Sequence, residues 1–220
     1  MKRILSLLAS SGLFLLASCN TSPNENSEAK SLPLRVAEAY GIENFDNINS
    51  LQYTWNVQQD SVRVGVRDWK WKPKDSEVFY EGPDSTLTFN YPVTSEELEK
   101  YEHRFINDKY WLLFPFQLAW DTGYDYEEIA DQPAPISGDL STKLIIQYNQ
   151  ADGYTPGDAY DLYLDEDLMI KEWVFRKGGG AEGRPFAWAD VQDFNGIKIS
   201  SSRYNDAGKR FIWFTNIEVD

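Results

Sequence analysis

Leu51-Gln52-Tyr53-Thr54-Trp55-Asn56-Val57-Gln58, the polar Gln59-Asp60-Ser61, and then Val62-Arg63-Val64-Gly65-Val66 form a run in which apolar residues recur at every second position on both sides of a turn. Period two places one set of side chains on one face of an extended strand, so the stretch reads as a β-hairpin turning at Gln59-Asp60-Ser61. Trp69 and Trp71 are out of step with the valines, and this change of phase predicts a bulge or bend near Asp68. Further strands are predicted over 78–80, 87–91, 143–148, 159–164, 169–175, 183–188, 196–202 and 211–219. The chain is therefore mainly antiparallel β.

Two helices interrupt the strands. A short one is predicted over 33–40, with Pro33 in its first turn and Gly41 just past its end. A long one starts at Thr94, where Thr94 and Glu97 fit a capping box, and carries Leu98, Tyr101, Phe105 and Ile106 on one face with charges on the other. One apolar face needs one surface to cover, and the concave side of a curved sheet supplies it in a two-layer, α+β arrangement. The segment 120–139 has no clear period and reads as a long binding or surface loop. Gly178-Gly179-Gly180 lacks both a following helix pattern and a Lys-Ser/Thr pair, so it reads as a hairpin turn and not a phosphate cradle.

The N-terminus has its own logic. Lys2 and Arg3 precede an apolar run from Ile4 to Leu16, and Leu16-Ala17-Ser18-Cys19 closes it, the pattern of a secretory signal over residues 1–18 that is too short to span a bilayer. A branched aliphatic, two small residues and then Cys resembles the lipobox of bacterial lipoproteins. That resemblance implies acylation of Cys19, removal of the signal, and a membrane attachment that two or more acyl chains make stable. Residues 19–32 are polar and read as a flexible tether to a single domain over 33–220. Asn20 differs from the Asp that retains such proteins at the inner membrane, and the tether lacks a tight acidic cluster. The expected location is the periplasmic face of the outer membrane.

Composition narrows the partners. The net charge of −14 becomes −16 once Lys2 and Arg3 are removed, so nucleic acid is excluded as a partner by repulsion from phosphate. Cys19 is the only cysteine, so no disulfide can form within the chain and packing must supply the stability. Eight Trp, thirteen Tyr and twelve Phe provide the apolar surface for it. His103 is the only histidine and reads as a solvated helix residue, since no partner exists for a triad or a zinc site. The acidic stretch 152–167 does not match a calcium loop, and Asp165-Glu166-Asp167 reads as a hairpin turn. No metal, no cofactor and no catalytic residue is expected, and the chain is expected to be a monomer.

Tyr53, Trp55, Phe89, Trp173, Phe175 and Trp213 lie on strands that alternate with polar residues. They either fill a plain core or line an apolar ligand cavity under the long helix. Tyr110-Trp111-Leu112-Leu113-Phe114-Pro115-Phe116 after the long helix, the strand pair Tyr160-Asp161-Leu162-Tyr163-Leu164-Asp165 and Ile170-Lys171-Glu172-Trp173, and the entry Asp193-Phe194-Asn195-Gly196-Ile197-Lys198-Ile199 together resemble the Lol-type lipoprotein carriers and receptors. The resemblance spans most of 33–220. It implies an unclosed antiparallel half-barrel covered by one long and one short helix, holding acyl chains or a lipoprotein's lipid in an apolar cavity without catalysis. An envelope structural or assembly protein acting through protein partners, and a glycan binder with exposed stacking rings, are the alternatives.

Overall fold

The computed structural model describes residues 30–150 and 155–220; Cys19, the signal segment and most of the tether lie outside the described residues. The chain enters through α1 (Leu32–Ala39), with Pro33 in the first turn as its fixed φ favours. Gly41 ends it at φ +87°, and a Cβ there would meet the Gly196 carbonyl oxygen at 2.0 Å, so the position requires glycine. A 3-10 turn (Ile42–Asn47) leads into four strands, β1 (Leu51–Gln58), β2 (Val64–Lys72), β3 (Glu77–Gly82) and β4 (Ser85–Asn90). The long helix α2 (Glu96–Trp120) follows, and then β5 (Tyr124–Pro133), β6 (Leu140–Tyr148), β7 (Ala159–Leu164), β8 (Ile170–Arg176), β9 (Arg184–Phe194), β10 (Ile197–Asn205) and β11 (Arg210–Val219).

All eleven strands join one antiparallel sheet in the order β4-β3-β2-β1-β11-β10-β9-β8-β7-β6-β5. The chain winds outward from β1 to the edge strand β4, crosses by α2 to the opposite edge at β5, and winds back until β11 pairs with β1. Geometry then forces curvature. Eleven strands about 4.8 Å apart span roughly 48 Å along the sheet, whereas a 25-residue helix is only about 37 Å long. The sheet curls around α2 and stays unclosed, with β4 and β5 as free edges.

Each half of α2 packs against its own set of rings. Phe105 lies 5.5 Å from Trp69 and 5.7 Å from Trp71, while Phe114 lies 4.5 Å from Tyr160 and 5.3 Å from Trp173. The other side of the C-terminal half is covered from the N-terminal segment, with Tyr40 and Phe45 at 6.4 and 5.5 Å from Phe116. This is why residues 112–116 are apolar all round.

Four expectations are corrected. β2 pairs with β1 in unbroken register from Val64 to Trp71, with no bulge at Asp68; Val64 and Val66 are exposed because they lie on the convex face, opposite the buried Trp69 and Trp71. Ser95, not Thr94, is the N-cap of α2, and no side-chain cap forms; Glu102 reaches back instead to accept the Val93 N–H at 3.2 Å. The run 110–116 is not a segment after the helix but its second half. The predicted loop over 120–139 contains β5, an edge strand whose residues are mostly exposed; an acidic, one-sided edge has no core face from which period two could be read.

α2 kinks at Leu113, whose φ/ψ are −116°/23°, just before Pro115. Proline carries no N–H, so the carbonyl four residues back, that of Trp111, loses its helical donor. Arg203, fully buried on β10, replaces it: Nη2 donates to the Trp111 oxygen at 2.5 Å, and Nη1 donates to the Ser200 and Ser202 carbonyls, both at 3.0 Å, and to Ser200 Oγ at 2.9 Å. The guanidinium stacks 3.5 Å over the Trp188 ring. Burial lowers its pKa to about 9. A second clamp lies one helical stretch earlier. Asp108, fully buried, accepts two bonds from Arg67 at 2.6 and 2.7 Å and one from Trp69 Nε1 at 2.9 Å.

Lys109 is buried without an ion-pair partner among the described residues, its Nζ 5.3 Å from the Trp71 and Tyr91 ring centres and 5.8 Å from that of Trp120. Burial lowers its pKa to about 8, against the pull of Asp121.

Two outcomes are expected. Arg203→Met costs about 2–4 kcal/mol by leaving the Trp111 carbonyl unpaired and removing the cation from the Trp188 face, and Pro115→Ala in that background restores about 1 kcal/mol because residue 115 again has an N–H; additive effects in urea unfolding would show that the two residues are not coupled. The unfolded chain keeps the Lys109 proton up to about pH 10.4 and the folded chain releases it near pH 8. Stability therefore rises with pH between these values, and the penalty is at full strength below pH 8. Lys109→Met removes the penalty, stabilising the fold at pH 7 by about 1–3 kcal/mol and flattening the rise above pH 8; thermal melts of both chains from pH 6 to 10 check this.

Candidate functional site

A cavity of about 430 Å³ lies between α2 and the concave face of β7–β9. Helix geometry supplies its roof: His103, Ile106, Asn107, Tyr110 and Trp111 fall at i, i+3, i+4, i+7 and i+8, a single stripe along α2. Sheet register supplies the floor. Tyr160 pairs across with Phe175, and Trp173 with Phe186, so all four rings project to the same face. Trp111 packs edge-on against Trp173 and Phe186 at 4.8 and 5.3 Å, and Phe186 stacks on Phe211 at 5.6 Å.

The rim is polar. His103, Asn107 and Arg184 are exposed, and Thr155 and Asp158 are half-buried. Asp158 Oδ1 accepts the Gly178 N–H at 2.7 Å, which turns it toward the glycine turn. At the helix end, the Tyr110 and Tyr148 hydroxyls both donate to Asp121 Oδ2, at 2.6 and 2.7 Å. Burial, chiefly, pushes the phenol pKa values of Tyr110, Tyr148 and Tyr160 far above the ordinary value, so these hydroxyls stay protonated.

Two buried polar atoms of lining residues lack a hydrogen-bond partner, as do six elsewhere among the described residues, the Trp55, Trp71 and Trp188 indoles among them. The Trp173 indole N–H has no hydrogen-bond partner, although the residue is only 1% exposed. Thr155 Oγ1 is the other, beside the Tyr110 and Tyr160 hydroxyls, on whose pKa values it has a small lowering influence. Among the described residues no group of three or more His, Cys, Asp or Glu side chains could hold a metal ion, and no helix is long and apolar enough to cross a membrane.

The structure brings two of the six sequence-derived ring residues, Trp173 and Phe175, to this cavity. Tyr53, Trp55 and Phe89 are buried elsewhere: Tyr53 against Phe214 at 5.9 Å, Trp55 beneath the Arg67 guanidinium at 3.8 Å, and Phe89 opposite Val78 on the outlying strand pair. Trp213 sits between the buried Ile212 and Phe214, is itself half-buried, and pairs with Asn56 beneath Arg210 at 4.4 Å, on the other face of the sheet. Tyr110, Trp111, Tyr160, Phe186, Phe211 and Arg184 were missed. The readable signal was the helical spacing from His103 to Trp111, which continues into the apolar run.

No family model matches the chain, and no curated protein matches it. Among solved structures, it is similar to a DUF1329 family protein from Desulfovibrio piger, at 11% identity and a TM-score of 0.46. It is also similar to a LolA superfamily protein from Nitrosomonas europaea, at 6% identity and a TM-score of 0.47. Each likeness covers 87% of this chain and 94% of the other.

The two strand tryptophans should differ sharply when truncated. Trp173→Ala empties a packed floor position and is expected to cost about 3–5 kcal/mol, whereas Trp213→Ala on the convex face is expected to cost about 1 kcal/mol or less; equal shifts in the urea midpoint would contradict the placement of Trp213.

Proposed function

We propose that this protein is a non-catalytic binding module that holds a hydrophobic ligand, an acyl chain in the simplest case, in the cavity under α2. The observation that carries this reading is the cavity itself. Its floor and the inner part of its roof are built mainly from aromatic and aliphatic side chains, its exposed polar residues, His103, Asn107 and Arg184, lie at the rim, and its volume is in the range of small-molecule sites, about 300–1,000 Å³. Each methylene moved from water into it contributes about 0.8 kcal/mol, so a chain of ordinary length is held by burial alone, with no bond made or broken.

The N-terminal sequence supports a lipid-anchored placement. Acylation of Cys19 tethers the domain to a membrane, and Asn20 favours the periplasmic face of the outer membrane. In this arrangement the domain stands within a tether's length of a lipid reservoir.

Two experiments test the two parts. The full chain made by cell-free synthesis, where no acyl chain is attached to Cys19, is expected to take up a fluorescent acyl probe at a 1:1 ratio and to show the adduct in native mass spectrometry. Phe175→Arg, a charge placed at a half-buried lining position, is expected to weaken uptake at least tenfold while the fold is kept. A wild-type chain that takes up no probe counts against the cavity reading and favours a structural or assembly role. In cells, Cys19→Ala is expected to abolish metabolic labelling with palmitate and the release of the signal segment; labelling that persists would rule out Cys19 as the acylated residue.

A further inference from the structure

The rim is not symmetric in charge, and its asymmetry bears on which amphiphile fits. Arg184 opens β9 directly opposite Phe175, so it belongs to the concave face, at the end of the row that runs Tyr160, Phe175, Arg184 across three strands. It is exposed, and among the described residues it takes part in no ion pair. Arg176, the last residue of β8, is by contrast committed to Asp161 at 2.8 Å. Asp158 is the one carboxylate in the lining, and its Oδ1 is already engaged with the Gly178 N–H. Arg184 therefore presents five N–H donors at a cavity mouth with no carboxylate of the described residues bound to them.

The apolar row beside Arg184 says what the rest of such a ligand would be. Phe175, its cross-strand neighbour, and Tyr160 beyond it line the cavity, so a chain lying on these rings ends within reach of the guanidinium. A pure hydrocarbon gives that guanidinium nothing to bind, whereas an anionic head group accepts from its fork.

Building on the binding reading above, we infer that the cavity selects amphiphiles with an anionic head group, carboxylate or phosphate, over neutral lipids of the same chain length. The head sits at Arg184, and the chain runs between Trp111, Tyr160 and Phe186. Arginine suits either head, because its planar fork matches both carboxylate and phosphate.

The test uses the cell-free full chain and three bromine-labelled probes that share one chain: 11-bromoundecanoic acid, its methyl ester, and 11-bromoundecyl phosphate. Bromine quenches tryptophan fluorescence at short range, and Trp111 and Trp173 line the cavity. At least one of the anionic probes is expected to bind tenfold or more tightly than the ester, and the tighter of the two identifies the head as carboxylate or phosphate. Arg184→Gln, at an exposed position that leaves the fold intact, is expected to remove most of that preference by weakening the anionic probes at least fivefold more than the ester. Equal binding of acid, phosphate and ester to the wild type overturns the head-group inference but leaves the hydrophobic cavity standing, as does a preference that survives Arg184→Gln. Failure of all three probes to quench overturns both.

Discussion

The carbonyl oxygen of Trp111 is the point on which the arrangement turns. Pro115 takes away its helical donor, and a carbonyl at this depth cannot be left bare without a penalty of about 1–3 kcal/mol. Arg203 supplies the missing bond from the sheet. A defect inside one element is thereby repaired by another, and the repair fixes where α2 crosses the concave face. The Trp111 side chain, on the same residue, is held over Trp173 and Phe186. One proline and one arginine, 88 positions apart in the chain, determine where the roof of the cavity lies.

A second attachment divides the space beneath the helix. Arg67 and Trp69 clamp Asp108 to β2, so α2 is pinned near its middle on one side of the sheet and at Trp111 on the other. On the β2–β3 side the clamp draws in Phe105 against Trp69 and Trp71, and the rings fill the volume. On the β7–β9 side the Arg203 bond to a backbone carbonyl fixes the helix beside the contacts of Trp111 and Phe114 with Trp173, Phe186 and Tyr160. Protein interiors otherwise pack as densely as organic crystals. A lined space remains because the polar attachments, which tolerate little change in length, prevent the apolar faces from closing on each other.

What the sequence disclosed follows from which physical signals are local. Period two identified β1, β7, β8 and β11 because apolar and polar side chains alternate along each, and Pro33 and Gly41 bounded α1 because helix ends have chemical requirements that residues state directly. β5 was illegible for the opposite reason: an edge strand carrying Asp125, Glu127, Glu128 and Asp131 has a composition that guards against edge pairing, which resembles that of a loop. The change of phase between the valines and tryptophans of β2 suggested a bulge because alternation gives two faces but does not say which is buried. The site was half legible for a related reason. Trp173 and Phe175 could be placed on a face, but the choice between that region and Tyr53, Trp55 or Phe89 depends on the position of α2, and this rests on the long-range bonds of Asp108 and Arg203, which no local pattern reveals.

The charge of the chain connects these features. Two cations, Lys109 and Arg203, are buried with no carboxylate in ion-pair contact among the described residues, an arrangement costly in a neutral protein. A net charge of −14 surrounds them with a negative potential that offsets part of that cost, because low-dielectric interiors transmit the summed field of the surface. The same field opposes an approaching anion. At physiological salt, however, it is screened over about 8 Å in solvent, whereas a guanidinium at the cavity rim acts at hydrogen-bond distance. For the anionic amphiphile proposed above, repulsion at long range and attraction at one point would impose a sequence on binding: it would be repelled from the surface at large and retained only where its head reaches Arg184 and its chain can leave water in the same step. On that proposal an acidic protein with an apolar cavity would gain selectivity from its charge, since weak adsorption of anionic lipid elsewhere on the surface is disfavoured by the field that a rim cation overcomes locally.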